Sequence, residues 1–131
     1  MLQVTIAPLT VDGFAPYGDV IEFRGKPDKI INQGRCGRYH DMAHLDFGDD
    51  GRGGISLFHA KPQTLPLQLD MMECHPDGTQ AFLPMTQHPF LVVVARDVGG
   101  QPGLPRAFKT APGQGVNYHR GVWHAVLTPL A

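Results

Sequence analysis

The sequence has 131 residues, 42% of them hydrophobic, and a formal net charge of −1 with its seven histidines neutral. That length holds one domain with a real core and is short for two. Acids and bases balance, and no basic stripe or Lys/Arg cluster marks a nucleic-acid footprint or a membrane surface.

Gly (16) and Pro (12) are spread along the chain, which predicts many turns and short strands in place of long helices. A first strand is expected over Leu2 to Ala7. This N-terminus has neither the basic nor the long apolar region of a signal peptide. TVDGFAPYGDVI (Thr10 to Ile21) reads as a short helical turn that stops before Tyr17-Gly18. DGRGG (Asp50 to Gly54) is a loop by composition. Strands are expected at ISLFHA (Ile55 to Ala60), LPLQLDMMECH (Leu65 to His75), AFLPM (Ala81 to Met85) and FLVVVA (Phe90 to Ala95). GGQPGLP (Gly99 to Pro105) is a second loop, and RAFKT (Arg106 to Thr110) a further strand. Seven or eight short strands with one short helix argue for an all-β sandwich or barrel. FLVVVA, the longest apolar run, is far below membrane-spanning length. Cys36 and Cys74 read as free thiols. The expectation is a cytoplasmic single domain over residues 1–131.

Side chains two apart in a strand share a face. From Leu65 the row Leu65, Leu67, Leu69, Met71 is apolar and continues into Glu73 and His75. A core-facing row that ends in a carboxylate and an imidazole needs a partner, a ligand, a metal or water, because unpaired polar groups are costly to bury. PDGT (Pro76 to Thr79) turns the chain at once, so Gln80 can return beside His75. Near the other end, His124 shares a row with Val122 and Val126. A barrel would bring Glu73, His75 and His124 into one pocket.

The spacing resembles the two cupin motifs. Gly113, five residues, His119-Arg120-Gly121, two residues, His124 follows the second motif, with His in place of its Pro. Glu73-Cys74-His75, four residues, Gln80, six residues, Gln87 follows the first, with Glu, Gln and Gln in place of its His, Glu and Gly. Closer still, ECHPDGTQAFLPM (Glu73 to Met85) and GVNYHRGVWHAVL (Gly115 to Leu127) are similar to the signature strings of ureidoglycolate lyases. FAPYGDVIE, INQGRCGRYHDMA and RAF add to that resemblance, which covers nearly the whole chain. The family often carries His-Pro after the tryptophan-histidine pair, where this sequence has Ala125-Val126, and its members continue further. Either the sequence is incomplete or the expected domain lacks the family's C-terminal strand and tail, and the open edge of the second case would favour a homodimer.

The resemblance implies an all-β, cupin-like double-stranded β-helix (a jelly-roll barrel). It also implies cleavage of (S)-ureidoglycolate to glyoxylate and urea in allantoin breakdown, with nickel as a candidate divalent cofactor. His75, His124 and Glu73 are the expected catalytic groups, with Tyr118 and His119 beside them. Glu73, His75, Gln80 and His124 stand at the four cupin ligand positions, so the same groups serve either as metal ligands or in proton transfer. Arg38, Lys109 or Arg120 could hold the substrate carboxylate, and Gln80 and Asn117 could meet the urea group. His40, His44, His59, His88, Arg106 and Trp123 read as structural. A hydrolase releasing ammonia and carbon dioxide, or a non-catalytic cupin that binds a small carboxylate, are the alternatives.

Overall fold

The computed structural model describes residues 2–131. Thirteen short strands and one helical turn occur among them. They are β1 (Ile6–Pro8), α1 (Val11–Phe14), β2 (Gly18–Ile21), β3 (Lys29–Ile31), β4 (Cys36–Arg38), β5 (Met72–Cys74) and β6 (Gln80–Phe82). Then come β7 (Phe90–Ala95), β8 (Asp97–Val98), β9 (Gln101–Pro102), β10 (Arg106–Lys109), β11 (Gly115–Tyr118), β12 (Trp123–Ala125) and β13 (Thr128–Pro129). One sheet runs β1-β10-β7-β12-β5, with β13 also on β7; a second runs β2-β11-β6. β3-β4 and β8-β9 are separate hairpins. The β1-β10 pairing is parallel, while β10-β7, β12-β7, β12-β5 and both pairings of β11 are antiparallel.

The core lies between the two sheets. Phe90, Val92, Val94 and Phe108 from the larger sheet meet Val20, Val116 and Tyr118 from the smaller, with Leu9, Phe14 and Tyr17 filling one end. Each such side chain contributes roughly 1.5–3 kcal/mol on burial. β7 is apolar at every position because both of its faces are covered: Leu91 and Val93 pack outward against Ala107, Ala125, Val4, Met72 and Leu130. The fold is the all-β, cupin-like one that the sequence predicts. No helix among the described residues is long and apolar enough to cross a membrane.

The helical turn stands where Thr10-Val11-Asp12 places it. Thr10 is extended, and its Oγ1 accepts from Gly13 N–H at 3.1 Å, which caps the turn. The turn delivers Phe14 into the core, edge-on to Phe108 at 5.7 Å between centroids.

Several expected elements differ. The first strand begins only at Ile6. GGQPGLP carries the tip of the β8-β9 hairpin, with Gly99 and Gly100 both at positive φ. ISLFHA and the stretch Leu65 to Met71 form no strand. Ile55 is 97% exposed, and Leu65, Leu67, Leu69 and Met71 lie open to solvent as well. Alternation says which side chains would share a face; it does not supply a neighbouring strand to pair with. The segment is tied to the body by Gln63 N–H donating to Pro129 C=O at 2.8 Å. The strand proper spans only Met72–Cys74, and there the inward parity expected for Glu73 does hold. Cys36 and Cys74 are free.

Candidate active site

β12 and β5 pair with His124 directly opposite Glu73, while Val94 of β7 flanks His124 on its other side. Directly opposed residues share a face, so His124 and Glu73 point the same way as the core valine. His75 lies two residues beyond Glu73 and keeps that side. Ligand atoms of Glu73, His75 and His124 all come within 4.8 Å of one another. The rings of His75 and His124 are 5.1 Å apart between centroids. On the opposite sheet β11 presents Tyr118, whose ring stacks on His124 at 4.3 Å and 2° from parallel. Phe82 meets Tyr118 edge-on at 5.8 Å between centroids.

His124 is the buried member, 1% exposed. Its Nδ1 is 3.0 Å from the carbonyl of Ala125. A carbonyl can only accept, so Nδ1 carries the hydrogen and Nε2 keeps its lone pair. That Nε2 is buried with no protein partner. Burial lowers the pKa of His124 below its ordinary 6.5; the bond to Ala125 and the charge of Glu73 oppose this, and nearby His75 adds to it. The ring is therefore neutral at physiological pH and offers a lone pair to the pocket. Tyr118 is the reverse case. Burial and then the charge of Glu73 push its phenol far above its ordinary range, so it stays protonated.

Gln80 faces Tyr118 across β6 and β11. Its Oε1 is likewise buried and without a partner. Two clefts meet at Gln80. One, of about 280 Å³, is lined by residues 75 to 80. The other, of about 480 Å³, runs between Glu73, Phe82, Leu127 and the exposed segment at Leu57 and Phe58. Two imidazoles, a carboxylate and an orphaned amide oxygen make a donor set that suits a divalent first-row cation. Buried polar atoms with no partner are rare in a folded chain, and two of them here, His124 Nε2 and Gln80 Oε1, belong to residues that neighbour Tyr118.

A model of the family described as ureidoglycolate lyase matches residues 1–131. The chain belongs to that family. It is 57% identical over 130 residues to the ureidoglycolate lyase of Rhodobacter capsulatus, covering 99% of this chain and 81% of that protein. It is 52% identical over 131 residues to ureidoglycolate lyase 2 of Rhizobium meliloti, covering 99% and 80%. With the ureidoglycolate lyase of Chelativorans the identity is 50% over 131 residues, covering 99% and 79%.

The family signature strings converge only in part. Glu73, His75 and His124 come together, with Tyr118 stacked on His124 and Gln80 opposite Tyr118 in the neighbouring strand. Asn117 and His119 share the other face of β11, because they alternate with Tyr118. There Asn117 pairs with Asp19 of β2, donating to its Oδ2 at 3.0 Å and to His44 C=O at 2.8 Å. His119 Nε2 lies 3.3 Å from Asp19 Oδ1, near enough for an ion pair but not aligned as a hydrogen bond. Burial works to raise the Asp19 carboxyl, yet Asn117, the His44 N–H and His119 together hold it below its ordinary value. Arg38 is exposed on the β3-β4 hairpin. Lys109 is exposed in β10, paired with Pro8 and Leu91. Arg120 donates to Asp46 Oδ1 at 2.6 Å. Trp123 has the opposite parity to His124 and donates to Asp97 at 2.9 Å, a structural role.

Sequence reasoning missed Asp19 and Asp46. Asp46 meets Thr79, 33 residues away, and Arg120, 74 residues away. No local spacing rule reaches over such separations. The one available signal was a lone acidic residue in the stretch HLDFG, which by itself says nothing.

Proposed function

We infer that the protein is a ureidoglycolate lyase, which cleaves (S)-ureidoglycolate into glyoxylate and urea. The observation that carries this to the residues is the pocket of Glu73, His75 and His124, with a lone pair of His124 buried and unused. The substrate has one carbon bearing a hydroxyl, a carboxylate and a urea nitrogen. Cleavage removes the hydroxyl proton, forms the C=O bond, breaks the C–N bond and returns one proton to the urea nitrogen. No water is consumed. Glu73 is suited to carry that proton from oxygen to nitrogen, since it stands at the open side of the pocket. His75 and His124 contribute imidazole nitrogens on the oxygen side, and Gln80 offers an amide oxygen to the urea N–H groups.

A divalent cation such as nickel would be held by His75, His124, Glu73 and Gln80. When bound, it polarises the hydroxyl and carboxylate oxygens of the substrate. A carboxylate has two oxygens, so holding a cation and carrying a proton do not exclude one another at Glu73. Tyr118, kept as a neutral phenol, supports the His124 ring by stacking and is a donor. Asn117 and His119 serve this reading by bracing β11 against Asp19. Arg38 and Lys109 have no role in it.

The reading places the enzyme in the cytoplasm, acting on a small molecule. It also includes a homodimer formed at an open sheet edge, since β5 ends one sheet and β6 the other. Gel filtration against the 14.3 kDa chain tests the dimer. The function is tested by incubation with ureidoglycolate and assay of both products. Glyoxylate with intact urea is the expected result. Ammonia and carbon dioxide in place of urea would make the protein a hydrolase, and no glyoxylate at all would make it a binding protein.

A further inference from the structure

Two turns frame the pocket. Residues 76 to 79 connect His75 to Gln80, and residues 119 to 122 lead from β11 to His124. Gly121 N–H donates to His75 C=O at 3.1 Å, so the second turn is bonded to the first at a site residue. Asp46, from a loop far away in sequence, reaches both. Its backbone clasps Thr79: Thr79 N–H donates to Asp46 C=O at 2.7 Å, and Asp46 N–H donates to Thr79 Oγ1 at 3.0 Å. Its carboxylate Oδ1 accepts from Arg120 at 2.6 Å and from Gly48 N–H at 3.1 Å. The Gly48 N–H lowers the Asp46 carboxyl below its ordinary value against an opposing effect of burial, and Arg120 and then His44 add to the lowering. Gly78 allows the approach: a Cβ there would stand 2.8 Å from Asp46 O and 3.2 Å from Phe47 Cα.

We propose that Asp46 is a positioning residue which ties the turn of Thr79 to the turn of Arg120 and so sets the spacing of His75, Gln80 and His124. Arg120 then acts through Asp46 and is not the anchor of the substrate carboxylate. The proposal rests on the pocket's being the active site. An isolated exposed ion pair of this kind contributes little to stability. Its value lies in geometry, because a displacement of about 1 Å at a reacting group can cost roughly a hundredfold in rate.

The test is a double-mutant cycle on the full chain with Asp46→Ala and Arg120→Ala, and with Asp46→Asn as the conservative variant. Asp46→Ala and Arg120→Ala should each lower kcat by roughly tenfold with a smaller change in KM. The double variant should be no worse than either single one. Asp46→Asn keeps an oxygen acceptor and should recover to within about threefold of the parent kcat. The second readout needs no turnover. In metal-free protein the imidazole NMR signals of His75 and His124 should move in Asp46→Ala and stay in Asp46→Asn. A large KM rise with unchanged kcat in Arg120→Ala would overturn the proposal in favour of a direct carboxylate anchor. Additive effects in the cycle would overturn it too, as would unmoved imidazole signals in Asp46→Ala. If the parent protein fails to cleave ureidoglycolate, the proposed function falls, and the imidazole signals alone decide the tie.

Discussion

His124 stands directly opposite Glu73 across β12 and β5, and the two share the pocket with His75 although the chain separates them by some fifty residues. The pairing is antiparallel and in register, so the strand ladder itself aims both side chains.

His124→Ala removes that lone pair and leaves a small cavity against Tyr118. We expect kcat to fall by roughly 10²–10⁴-fold, the usual worth of a proton-transfer or ligand group. The stability loss should stay below the ~2–5 kcal/mol of a buried Leu→Ala change, since an unsatisfied nitrogen leaves with the ring. Steady-state kinetics beside a urea melt separates the two effects. A folded variant with the parent kcat would remove His124 from the chemistry.

Gln80→Leu tests the orphaned amide. The variant is similar in volume and deletes a buried oxygen that has no protein partner. The fold should be as stable as the parent or slightly more so. Activity should drop by about tenfold or more, because the oxygen's partner is the substrate or the cation. A variant that is less stable and fully active would show that the amide serves the fold.

How far this was legible in the sequence depends on range. Phe90 to Ala95 announced a strand, and Thr10 announced the start of the helical turn. Glu73, His75 and His124 were legible because local parity and cupin spacing both pointed at them. Leu65 to Met71 misled, since a period of two fits an exposed extended chain as well as a strand. Asn117 and His119 sat inside the same signature string as Tyr118, but a string does not say that alternate residues face opposite ways around β11. Asp19 and Asp46 were silent, because their partners are brought near only by the folded sheets.

Cation removal tests the donor set. Protein stripped by a chelator and shown to be metal-free by elemental analysis should lose activity, and nickel or a similar ion should restore it. Affinity should weaken in acid, where protons compete for the imidazole of His124, and burial places that competition below its ordinary 6.5. Undiminished turnover in the verified metal-free protein would leave the three residues as proton carriers alone.

Acid stability tests the brace behind β11. Asp19 is held below its ordinary carboxyl value in the folded protein. The unfolded chain therefore takes up the proton first, near 3.8, and the folded one only at lower pH. Its contribution is complete above the unfolded value and drains as pH falls through the folded one. We expect Asp19→Asn to cost about 1–2 kcal/mol near neutral pH. The gap from the parent should narrow between about pH 5 and pH 3. Denaturant midpoints across that range give the answer, and a gap that widens in acid would contradict the assignment.

The exposed segment between Asp50 and Met72 divides the chain between β4 and β5, yet the two parts are interlaced: β1 lies on β10 and β2 on β11. The segment carries Arg52, followed by Gly53, and has no ladder partner. A protease specific for basic residues should nick it there first, and the nicked protein should still run as one particle on gel filtration. The molecule is thus two pieces held by shared sheets. The two halves, expressed separately, are natural candidates for fragment complementation, in which activity returns only when they meet.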